Sequence, residues 1–75
     1  MPNSGHTVKE LPHVGKRIAQ RREQLRMTKT EAAKAVGMSL GGYANIEAAK
    51  YLPGLPLYRN ICRVLKVSPG KLLEK

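Results

Sequence analysis

Seventy-five residues make one small domain and exclude a multi-domain enzyme, because chains divide into several cores only well beyond this length. Three tyrosines are the only aromatic residues, so the core is expected to be aliphatic and modest, with stability marginal or helped by a partner. Fourteen Lys and Arg against five Glu leave a net charge of +9, which favours a polyanionic partner: nucleic acid, an anionic membrane surface or an acidic protein.

Met1 to His13 hold Pro2, Ser4, Gly5 and Pro12 without a sustained apolar period, and read as a mobile arm preceding a domain over 14–75. His6 and His13 fall in this arm without second-ligand spacing. From Val14 the pattern changes: Val14, Ile18 and Leu25 recur at helical spacing with Lys16, Arg17, Arg21 and Arg26 interleaved, which predicts a basic amphipathic helix. Thr28 and Glu31 have capping-box spacing, so a second helix starts there. It carries Ala32, Ala33 and Val36 on one face and stops at Gly37, a residue that enters the left-handed region without steric cost.

Ser39 supplies the next cap, and a third helix is expected over about Leu40 to Ala48, with Tyr43 and Ile46 returning to the interior. Tyr51, Pro53, Gly54 and Pro56 read as a loop. Helical periodicity resumes with Leu57, Tyr58, Ile61, Val64 and Leu65, and Ser68 with Pro69 opens a last short helix holding Lys71, Leu72 and Leu73. No stretch alternates with period two, so the fold class is all-α.

Two short helices joined around a glycine, the second polar outside, describe a helix-turn-helix. Ala33 fits the crossing point, Gly37 opens the turn, and Ala32, Val36, Met38, Tyr43 and Ile46 fill the apolar positions between the helices. With these positions in place, Arg17 to Leu73 resembles the phage repressor and Cro-like (XRE) helix-turn-helix family, most plainly in RIAQRREQLRMTKTEAAKAVGMS and ICRVLKVSPGKLL. The resemblance spans about three quarters of the chain. It implies a compact five-helix, lambda-repressor-like DNA-binding domain in which helices two and three form the binding unit and helix three reads the major groove. It also implies a buried ion pair between Arg22 and Glu47. The residues are compatible with that pair, since Glu47 follows Ile46 on an inward-facing helix, although a solvated Glu47 at a helix end fits them too.

Several positions depart from the family pattern. Lys29 stands where relatives usually carry Gln, keeping a phosphate contact at a helix N-terminus but losing the brace to a base-reading side chain, which makes it a strong phosphate-contact candidate; a solvated lysine is the alternative. The base-reading positions hold Leu40, Gly41, Gly42, Ala44 and Asn45, of which only Asn45 can hydrogen-bond a base edge, by preference adenine, while Leu40 can touch a thymine methyl. The paired glycines either admit close approach of a DNA strand or merely tolerate a loose helix start. Arg26 replaces the glycine that commonly ends helix one, which implies strain or a reshaped end. It joins Lys50, Ser39, Lys16 and Arg17 among the candidate phosphate contacts, the last two being equally readable as solvated cations. Tyr43 reads as core with its hydroxyl reaching the surface, in preference to stacking on a base.

Cys62 excludes an intramolecular disulfide, has no neighbouring Cys or His for a zinc site, and reads as a small buried residue. A cytoplasmic protein without a membrane span or secretory signal is expected. Without Asp or paired carboxylates there is no believable catalytic constellation, so no enzyme, cofactor or metal is expected. The reading is a bacterial or phage-encoded, sequence-specific regulator of transcription on double-stranded DNA, homodimeric at least on DNA. Either Leu55 with Leu57 or Leu72 with Leu73 would supply the dimer patch, unless those residues are core. The alternative is a protein-interaction module on the same scaffold, such as an antitoxin or phage adaptor, docking through LGGYAN with weak or nonspecific DNA binding.

Overall fold

Proline at a first helical position gives up no hydrogen bond, and α1 (Pro12–Gln24) begins on one. The computed structural model describes residues 12–50 and 52–73, so Tyr51 and most of the expected arm, His6 included, lie outside the described residues. Pro12 and His13 belong instead to α1. His13 also has work to do, because its Nε2 donates to the Leu73 carbonyl at 2.8 Å and ties the start of α1 to the last helix.

Helix α2 (Lys29–Val36) opens on a complete capping box. The Glu31 amide donates to Thr28 Oγ1 at 3.0 Å, and the Thr28 amide donates to Glu31 Oε1 at 2.8 Å. It ends at Gly37 with φ 92°, where the Gly37 and Met38 amides both donate to the Ala33 carbonyl at 2.9 Å. The Ser39 oxygen then accepts the Gly42 amide and starts α3 (Leu40–Glu47). Helix α4 (Leu55–Leu65) starts at Leu55 rather than at Leu57, because Pro56 sits in the first turn, where its missing N–H costs nothing. Helix α5 (Pro69–Leu73) closes an all-α fold with no strand among the described residues.

The core takes side chains from every helix: Val14 and Ile18 on α1, Ala32, Ala33 and Val36 on α2, Tyr43 and Ile46 on α3, Ile61, Cys62 and Leu65 on α4, and Leu72 on α5. Leu72 is therefore unavailable to a dimer patch, whereas Leu73 and Leu55 are exposed. Tyr43 corrects another expectation. It is fully buried, and its hydroxyl lies inside beside Arg22 and Glu47 without a hydrogen-bond partner, so it neither reaches the surface nor can stack on a base. Burial, reinforced by the Glu47 carboxylate, pushes this phenol well above its ordinary pKa.

The end of α1 is strained rather than reshaped. Arg26 takes φ 59° while the Met27 amide donates back to the Arg22 carbonyl at 3.1 Å, the hydrogen-bond pattern that a glycine normally completes. A left-handed residue with a Cβ costs about 1–2 kcal/mol, and glycine forfeits about 0.5–1 kcal/mol of that gain through unfolded-state entropy. Arg26→Gly is thus expected to stabilise the domain by about 0.5–1 kcal/mol, measured by urea denaturation; a lowered midpoint would show that the turn depends on the arginine side chain.

Candidate nucleic-acid interface

The orientation of α3 is set from α1 as well as from α2. At Gly15, α1 and α3 approach so closely that a Cβ would lie 2.4 Å from the Ile46 carbonyl oxygen and 2.8 Å from that of Glu47. About two turns along the same face, Arg22 meets the end of α3. Its Nε donates to Glu47 Oε2 at 2.7 Å and its Nη2 to Oε1 at 3.2 Å, a bidentate pair whose side chains are only 10% and 5% exposed. Arg22 Nη1 donates to the Met27 carbonyl at 2.8 Å, which fixes the turn leading into α2. The hydrogen bonds that Glu47 accepts raise the guanidinium pKa, burial opposing them. From the other side Asn60 of α4 donates to the Val36 carbonyl at 3.1 Å, holding the last turn of α2, and Arg63 in turn hydrogen-bonds the Asn60 oxygen.

Held in this way, α3 turns Leu40, Gly41 and Asn45 outward, with Ala44 half-buried among them. The Asn45 side chain makes no hydrogen bond to any described residue, so its amide is available to a ligand. Gly41 faces open space, whereas a Cβ on Gly42 would press on Ser39 Oγ at 3.2 Å and Met38 Cε at 3.4 Å. The second glycine thus has a packing reason within the protein and the first has none.

Lys29 is exposed at the first position of α2, Ser39 caps α3, Lys50 follows α3 and Arg26 precedes α2, all four exposed. Lys16 and Arg17 are not brought to this surface. They share a depression with His13 and Gln20 on the side of α1 turned away from Gly15 and α3.

Four residues that hold the helices together escape a reading of the sequence: Gly15 and Asn60, which set α3 and α2, and His13 and Arg21, which tie α1 to α5 and to the end of α4. The available signal for Gly15 was a glycine inside a periodic helix, which costs about 1 kcal/mol against alanine and so calls for a packing reason. Asn60, Arg21 and His13 act on carbonyls far away in the chain, and no local pattern marks them.

No helix among the described residues is long and apolar enough to cross a membrane. No curated protein matches the sequence. The helix-turn-helix domain family matches residues 13–74, which takes in the five described helices except for Pro12 at the start of α1. The capped α2, the Gly37 turn and the outward-facing α3 are that family's defining unit, and the chain belongs to this helix-turn-helix family of the XRE/Cro-like group.

Proposed function

We propose that the protein is a repressor- or Cro-like transcriptional regulator that lays α3 in the major groove of duplex DNA. The observation that carries this reading is the outer face of α3: two capped helices, a buried ion pair and a close helix crossing all hold it in place, yet Leu40, Gly41 and Asn45 are left exposed. Asn45 offers the bidentate amide that matches adenine, Leu40 meets a thymine methyl, and Gly41, Gly42 and Ala44 allow the helix backbone close to the bases. Lys29, Arg26, Lys50 and Ser39 hold phosphates around it. Lys16 and Arg17 contribute through the long-range field of the +9 chain rather than through contacts.

A reader with one hydrogen-bonding side chain needs two half-sites for useful discrimination. A twofold dimer spanning about 34 Å of DNA provides them, with exposed Leu55 in the shared patch. Sedimentation of the saturated complex is expected to show two chains per operator. The same smoothness of α3 favours the second reading, a docking face for a protein.

Selection from a random duplex pool separates the two, since a regulator enriches a palindrome and a docking module enriches nothing. On the selected site, Lys29→Ala is expected to weaken binding for all sequences alike and to lower the slope of log affinity against log salt by about 1. Gly41→Ala is expected to stabilise the fold by up to about 1 kcal/mol, since nothing obstructs its methyl, while affinity for DNA falls. Unchanged affinity would mean that the groove does not approach the helix there.

A further inference from the structure

The side of α1 remote from α3 carries a second concentration of charge. At 100° per residue, Arg17, Gln20, Arg21 and Gln24 form a stripe about 160° around the helix from Gly15 and Arg22. With Lys66 and Lys71 from the α4–α5 segment they line a cleft of about 380 Å³, cationic on both walls.

Arg21 and Lys66 carry the site. Arg21 Nε donates to the Leu65 carbonyl at 2.8 Å and Nη2 to the Lys66 carbonyl at 3.2 Å, so the guanidinium is fixed by neutral acceptors and its charge stays unneutralised. Lys66 ends α4 with φ 55°, a left-handed cap that glycine adopts more easily, and its ammonium has no partner among the described residues. Arg17 and Lys71 take part in interactions of their own and add only to the field. No described carboxylate lines the cleft: Glu31 closes the capping box, Glu47 holds Arg22, and exposed Glu23 borders a neighbouring depression beside Gln20 and Gln24, 3.8 Å from Arg22 Nη2.

We propose that this cleft binds an extended acidic segment of a partner protein, with carboxylates paired to Arg21 and Lys66. A concavity of this size fits a single extended strand better than the wide, rigid body of a duplex. The stripe from Arg17 to Gln24 runs about 10 Å along α1, the length of about three extended residues. Gln20 brings an amide group that suits a peptide backbone, as does the amide nitrogen of Gln24, whose oxygen accepts from Arg21 Nη1 at 3.1 Å, and half-buried Val67 supplies apolar lining; a compact inorganic anion would use neither. Because the cleft and the outer face of α3 are separate surfaces, the segment is accommodated with or without DNA.

The test titrates the full chain, at low salt, with a fluorescent hexapeptide of glutamate and with its glutamine counterpart. The glutamate peptide is expected to bind and the glutamine peptide to fail, with backbone amide signals moving over 17–24 and 66–72 but not over 40–45. Lys66→Gly, which relieves the left-handed strain and so keeps the fold, is expected to weaken the peptide about fivefold while raising the melting temperature. Arg26→Gly removes an equal charge from a similar left-handed turn outside the cleft and is expected to change affinity by less than about twofold. Equal losses in the two variants, signal changes centred on 40–45, or no binding of the glutamate peptide would overturn the proposal. So would cleft signals that answer to pyrophosphate and not to the peptide.

Discussion

Arg22→Met is expected to destabilise the domain by about 3–5 kcal/mol, because it leaves the Glu47 carboxylate buried without its partner. For a chain of this length total stability is on the order of 4–11 kcal/mol, so the variant should lie near its unfolding threshold. Glu47→Leu strands the opposite charge and should be damaging for the same reason. The double variant Arg22→Met with Glu47→Leu should recover much of the loss, since a buried pair replaced by apolar groups of similar volume is often neutral. Urea denaturation of the four proteins gives the coupling directly, and additive single effects would mean that the pair contributes nothing. Even with the fold restored, duplex affinity should stay reduced, because Arg22 also fixes the turn before α2 through the Met27 carbonyl.

The second large effect runs against helix propensity. Alanine is better than glycine inside a helix by about 1 kcal/mol, yet Gly15→Ala is expected to destabilise by about 1–3 kcal/mol. Its methyl would meet the backbone oxygens of Ile46 and Glu47, which cannot rotate away, so α1 must lift off α3. The same movement would pull Arg22 from Glu47, and the melting temperature should fall by about 4–8 °C per kcal/mol lost in a domain of this size. An unchanged or raised melting temperature would show that the helices have room to part.

What the sequence displays well is local. The capping box at Thr28 and Glu31, the left-handed Gly37 and the Ser39 cap each rest on residues within a few positions of one another, and spacing alone locates α2 and α3. The cations of α1 are the opposite case. Arg17, Arg21 and Arg22 look alike as interleaved charges, but Arg22 is buried on Glu47, Arg21 caps the end of α4, and Arg17 faces the cleft. Helical periodicity separates faces without saying which partner each face meets, and only the resemblance to a known family singled out Arg22. Lys16 and Arg17 read equally as phosphate contacts and as solvated cations, because charge is visible in sequence and direction is not. Tyr43 misleads differently: a buried phenol usually finds a hydrogen-bond partner or reaches water, and here the close α1–α3 packing leaves it neither.

The empty space in front of Gly41 also makes α3 rewritable. Since that position supports no packing inside the protein, the residue there can change while the scaffold beneath stays as it is. The chemistry displayed by α3 and the integrity of the fold are thereby uncoupled at this one position.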